Sequence, residues 1–232
     1  LMLVFKDTIT GLAAGVRLTS NDMLHKGDWI TVKSVDANGI VEDMSLTTVK
    51  VRNFDNTIVT ISPITLVNGS FQNWIGMQKS GGRRVKRVVY FDFRSVRLVD
   101  ETLKRNLLAK HFATEDSFKL KESLQKAIDK DIQEGKDIED LKNPAALAPT
   151  NLQLYRKFME KYLRQRPEVN TDLTLMVRHM EATQCGLPIE FYFFIKDKVW
   201  VNYEHILADI MEHAYALANE FGLKIYEQYP EQ

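Results

Sequence analysis

The first 24 positions are rich in apolar residues and free of proline, with only Gly11 and Gly15 to weaken a helix. This predicts a helix from Leu1 to about Leu24. From Gly27 the pattern switches to period two. Short β-branched runs occur at Trp29–Val32, Ile40–Val41 with Met44, Thr48–Val51 and Thr57–Ile61. Turn residues separate them at 36–39 and 53–56, as expected for antiparallel strands ending near Trp74. Ser80-Gly81-Gly82 then reads as a hinge-like link.

Beyond it, strands and helices alternate. Arg84–Phe93 predicts a strand, Asp100–Ala109 a helix, and Thr114–Glu134 a polar helix, with a break in the pattern from Asn143-Pro144 to Pro149. Thr150 is a suitable cap for an amphipathic helix over Leu152–Gln165. Strands are expected at Leu173–His179, Ile189–Ile195 and Leu223–Tyr226, with a helix over Tyr203–Phe221 closed by Gly222. The fold class is therefore α+β. It comprises an N-terminal helix (1–25), a small Sm-like antiparallel β barrel or sandwich (26–78) and a ferredoxin-like α/β sandwich (79–232). A helical insertion is expected at about 111–149.

Composition narrows the function. Of 232 residues, 31 are Lys or Arg and 31 are Asp or Glu, so the formal net charge is zero. A dedicated nucleic-acid binder normally carries a basic excess, so no nucleic-acid partner is expected. The single cysteine, Cys185, excludes an internal disulfide and a Cys-cluster metal site. No run approaches the ~20 apolar residues of a membrane span. The chain opens on Leu1 inside an apolar run, which is expected of a cut through a longer protein.

P-loop, GxGxxG, GxSxG and HExxH patterns are missing, so no catalytic residue, cofactor or metal is expected. His205, Asp209 and His213 recur every four residues, the spacing of helical metal ligands, but Glu204 and Glu212 make that face a solvated one. His179 is expected to be a packed or paired histidine, and Cys185 has no histidine close in sequence to activate it. The run Arg83-Arg84-Val85-Lys86-Arg87 could take phosphate or anionic lipid, but reads better as a solvated strand edge. Gly11, Ala14, Gly15 and Leu18 form a mostly small helical stripe with GxxxG spacing, the kind that lets another helix approach closely.

Three segments together resemble the small-conductance mechanosensitive channel superfamily, in its miniconductance-type branch. Gly11-Leu12-Ala13-Ala14-Gly15-Val16 is similar to the end of that family's pore-lining helix. Lys26-Gly27-Asp28-Trp29-Ile30, Leu46-Thr47-Thr48-Val49 and Phe71-Gln72-Asn73-Trp74 resemble its Sm-like β domain. Tyr155-Arg156-Lys157-Phe158, Leu175-Met176-Val177-Arg178, Gly186-Leu187-Pro188 and Tyr203-Glu204 resemble the branch's C-terminal α/β domain.

The resemblance implies the cytoplasmic portion of a channel of the bacterial inner membrane. Such a channel opens under membrane tension and releases ions during hypoosmotic shock. It further implies a homoheptamer, contact with the lipid bilayer through helices upstream of Leu1, and small permeant ions as the transported species. Leu3 would lie near the narrow part of the pore, and Asp7 stands where the best-known members have a glycine hinge. The alternative class is a soluble Sm-like RNA-binding protein.

Overall fold

The computed structural model describes residues 2–119, 122–135 and 148–228, with side chains described from residue 9 onward and, in the helix that starts at Glu122, from residue 126. The chain divides into two compact units, Leu1–Ser80 and Gly81–Gln232.

The first unit begins with helix α1, Met2–Ser20. Four strands follow as a meander: β1 Trp29–Val32, β2 Ala37–Met44, β3 Val49–Asn53 and β4 Ile58–Ile61. A two-residue strand β5, Gln72–Asn73, pairs with the free side of β1. The antiparallel sheet has the order β4-β3-β2-β1-β5. Alternation carries Ile30, Val32, Ala37, Val41, Val49, Val51 and Ile61 to one face, where Leu18 of α1 joins them in the core.

Two details depart from the sequence expectation. Residues 37–39, expected to be a turn, belong to β2. The reversal comes earlier, in a 3-10 turn at Lys33–Val35 that ends on Asp36 with φ 51°. Short helices α2, Pro63–Asn68, and α3, Ile75–Lys79, were not foreseen. Both are too short to show a periodic apolar face, although Pro63 sits at the start of α2, where its missing N–H costs nothing.

The second unit is a three-stranded antiparallel sheet, β6 Arg83–Phe91, β7 Met176–His179 and β8 Leu187–Ile195, in the order β6-β8-β7. Helix α4, Glu101–Ala109, follows β6; helices α6, Asn151–Gln165, and α7, Trp200–Glu220, flank the β7–β8 pair in sequence. The segment expected as a fourth strand, Leu223–Tyr226, makes only an isolated bridge, Ile225 to Phe91, with the Tyr226 N–H donating to the Tyr90 carbonyl. That places it beside β6, completing the ferredoxin-like arrangement. The insertion is not one helix: a 3-10 turn at Glu115–Phe118 precedes helix α5, Glu122–Gln133. The expected break that starts at Asn143 falls, up to residue 147, outside the described residues.

Burial explains the helix positions. Leu152, Tyr155, Met159 and Leu163 of α6, and Tyr203, Leu207, Ile210, Ala214 and Ala218 of α7, join Val85, Val89, Phe191 and Phe193 in one core. The Thr150 hydroxyl caps α6 by accepting from the Gln153 N–H at 3.1 Å. Fully buried Asn151 ties three segments together: its Nδ2 donates to the carbonyls of Ser95 and Phe221, and its Oδ1 accepts from the Arg97 N–H. At the free side of β7, the Val177 N–H donates to Oε1 of Glu160 at 2.9 Å and its carbonyl accepts from Arg156 at 3.2 Å.

Candidate functional site

Helix α1 has two unlike faces. Ala14, Gly15 and Leu18 are buried, Leu18 only 1% exposed. Ile9, Leu12 and Val16, at helical spacing on another side, are exposed. At Gly15 the helix lies close against the backbone of its own unit. A Cβ placed there would lie 2.2 Å from the Leu46 carbonyl oxygen, in the turn between β2 and β3. Only glycine tolerates that approach. Gly11, one turn earlier, faces open space. The stripe of Gly11, Ala14, Gly15 and Leu18 is thus divided: its C-terminal part meets this chain's own β sheet, and its N-terminal glycine meets nothing within the unit. Leu3 and Asp7 are in the first turns of α1, where the side chains lie outside the described residues.

The helix ends in a tight C-terminal turn. The Met23 N–H donates back to the Leu18 carbonyl at 3.1 Å, and Asp22 takes φ 58°, the left-handed residue such endings require. Asp28, 6% exposed, then fixes the path into β1. One carboxylate oxygen accepts from the His25 N–H at 3.0 Å and from Asn73 Nδ2 at 2.8 Å. Asn73 also donates to the Met23 carbonyl at 3.3 Å. Beside this junction Trp29 stacks on Trp74 with ring centroids 4.6 Å apart. Both indoles are oriented by hydrogen bonds, Trp29 to Asn38 Oδ1 and Trp74 to Thr31 Oγ1, each at 3.0 Å. Asp28 and Asn73 are functional candidates that the sequence pattern alone did not single out. Their signal was available as two polar residues inside otherwise strand-like segments.

The remaining candidates do not form a site. His205, Asp209 and His213 lie along the exposed side of α7, and the His213 ring hydrogen-bonds the Asp209 carbonyl rather than sharing a ligand position with it. No group of three potential metal ligands occurs among the described residues. His179, expected to be packed or paired, is exposed at the end of β7, and Cys185 is exposed in the turn that follows. Two members of the basic run of β6 are engaged within their own unit. Arg83 lies over the Tyr203 ring at 4.3 Å, and Lys86 faces the buried Glu190 carboxylate at 3.6 Å. Glu190 also accepts from Arg178 at 2.5 Å, and the Arg178 hydrogen bond, first among several causes, holds its carboxyl below the usual carboxylate value.

An antiparallel β domain entered directly by an apolar helix, and followed by a ferredoxin-like α/β unit, defines a narrow class. Residues 7–76 match the model of the mechanosensitive ion channel β-domain. The small-conductance mechanosensitive channel MscMJ of Methanocaldococcus jannaschii is 33% identical over 73 residues, covering 32% of this chain and 20% of that protein. An MscS family protein of Aquifex aeolicus is 33% identical over 111 residues, covering 47% of this chain and 29% of its own. Among solved structures, Arabidopsis thaliana MSL1 shares the fold at TM-score 0.62 and 10% identity, with 97% of this chain and 61% of that one covered. Helicobacter pylori MscS in its closed state does so at TM-score 0.59 and 14% identity, covering 100% of this chain and 67% of that one.

Residues 7–76 carry a mechanosensitive ion channel β-domain, and the sequence is similar to MscS family proteins, which are channels rather than enzymes. The matched regions span less than a third of the two curated relatives' own lengths. No helix among the described residues is long and apolar enough to cross a membrane.

Proposed function

We propose that this chain is the cytoplasmic portion of a tension-gated ion channel of the miniconductance type, placed in the bacterial inner membrane and releasing ions during hypoosmotic shock. The observation that carries the reading is the match over residues 7–76, which takes in most of α1 together with the β domain as one piece. In this reading α1 is the end of the pore-lining helix, with Leu3 and Asp7 toward the pore. Copies assemble as a homoheptamer, and the lipid contacts belong to helices upstream of Leu1. Buried Ala14, Gly15 and Leu18 join each α1 to its own β domain. Gly11 and the exposed Ile9, Leu12 and Val16 are what α1 offers to neighbouring helices. A rigid joint at this point would transmit a movement of the pore helix to the β domain instead of absorbing it.

The test is expression of the full-length protein in cells stripped of their own mechanosensitive channels. Patch recordings should show a conductance that appears with applied suction, and the cells should survive a sudden drop in osmolarity better than controls. A membrane-inserted protein that gives no tension-dependent current would sink the reading.

A further inference from the structure

The two faces of the second unit's sheet are unlike. Every strand residue in the core of that unit lies on one face, from Val85 and Val89 of β6 to Phe191 and Phe193 of β8. Alternation sends the intervening residues to the other face. There Val88, Tyr90, Met176, Tyr192 and Phe194 share the surface with three cations, Arg84, Lys86 and Arg178, and none of them joins the core. An antiparallel sheet with one face in water normally shows polar residues on it. Aromatic and aliphatic side chains interleaved with arginine are instead the composition of an interface. The one carboxylate on this face, Glu190, is buried and already holds Arg178 and Lys86. Arg84 lies over the Tyr192 ring at 6.0 Å and has no carboxylate partner among the described residues.

We propose that this sheet face docks on the outer stripe of α7 of a second copy of the chain. Val201, Glu204, Ala208, Glu212 and Tyr215 recur at helical spacing on the side of α7 away from the core, and all are exposed. Val201 is 63% and Tyr215 46% exposed. The helix carries four acidic residues and no Lys or Arg, and Glu212 has no cationic partner among the described residues. The stripe is thus apolar and negative where the sheet face is apolar and positive. Within one copy the two cannot meet, because α7 packs on the core face of the sheet with its opposite side. Two sheet faces brought together would set cations against cations, and two stripes would set carboxylates against carboxylates. Only a head-to-tail contact matches the charges. Such a contact repeats from copy to copy and closes into a ring where the rotation allows.

This contact rests on the self-assembly proposed above, and not on gating by tension. It is tested in membranes on the full-length protein with its cysteines replaced, Cys185→Ser among them. Val88→Cys on the sheet face and Ala208→Cys on the stripe, combined in one chain, should oxidise to a ladder of covalent oligomers. Each single variant should stay monomeric on a denaturing gel, because like positions do not meet in a head-to-tail contact. Added to the double-cysteine protein, Arg84→Glu or Glu212→Arg should cut the ladder several-fold, and the two together should restore it. Restoration also shows that neither substitution prevents folding. A double-cysteine protein without a ladder, dimers from a single-cysteine variant, or charge variants without effect would each overturn the proposal. Single-stranded RNA that binds the wild type and is lost with Arg84→Glu would assign the face to a polyanion and overturn it as well. Patch recordings separate the two readings. A ladder without tension-dependent current keeps the contact and removes the gating; current without a ladder does the reverse.

Discussion

Asp28 and Asn73, 45 positions apart in sequence, meet through a 2.8 Å hydrogen bond from Asn73 Nδ2 to the Asp28 carboxylate. That contact pins the loop leaving α1 to the last strand of the sheet. Asp28→Ala should destabilise the first unit by about 1–3 kcal/mol, because it strips partners from the Asn73 amide and the His25 N–H. Asn73→Ala should cost a similar amount, and the double variant less than the sum of both. Urea unfolding of the four proteins in a double-mutant cycle measures the coupling. Strict additivity would show that the pair does not act together.

The two glycines of α1 should respond in opposite directions. Gly11→Ala places its methyl in open space and should stabilise the helix by up to about 1 kcal/mol. Gly15→Ala drives a methyl into the Leu46 backbone and should cost about 1–3 kcal/mol, outweighing the same helical gain. Thermal unfolding of both variants decides it. Equal shifts would mean that α1 does not rest on the β2–β3 turn.

Glu190 should make the second unit sensitive to acid. Its folded carboxyl is held below the usual 4.5, chiefly by the Arg178 hydrogen bond. The stability it contributes is therefore fully present above about that value and is lost as pH falls through the lower folded value. Glu190→Gln should lower the unfolding midpoint at neutral pH and flatten its decline in acid, so that the two proteins converge as pH drops. Parallel curves would assign the acid sensitivity to other groups.

Tyr155 carries a further test. Its hydroxyl donates to the Ala214 carbonyl at 2.6 Å in a fully buried position, and its ring packs edge-on against Phe91 and Phe221. Burial pushes the phenol far above its ordinary value, so it stays neutral in alkali. Tyr155→Phe keeps the ring contacts and should cost about 1 kcal/mol, read as a lower urea midpoint. Tyr155→Ala should cost several times more, about 3–5 kcal/mol, through the cavity it leaves.

Much of this architecture was legible because it rests on local pattern. Alternation located β1, β3 and β4 to within a residue or two, and the cap at Thr150 located the start of α6. What escaped depended on partners far away in sequence. The GxxxG spacing announces that something comes close to α1. It carries no sign that, at Gly15, the neighbour is the backbone of Leu46. Nothing local marks Asp28 as the partner of Asn73. Residues 223–226 have the composition of a strand, but pairing with the end of β6 gives them only a bridge. Sequence spacing likewise put His205, Asp209 and His213 on one helix, while the ring of His213 turns to the main chain.

The hydrogen bonds from Val177 to Glu160 and from Arg156 to Val177 have a consequence for growth. An edge strand with idle main-chain groups is a template onto which another strand can add. Here two side chains of α6, one helical turn apart, occupy that template at its middle, so the sheet has a set width on this side. A second strand laid along β7 would meet an edge already occupied at Val177. A helix that serves the core with one face thus also shields, with its flank, the open edge of the sheet it packs on.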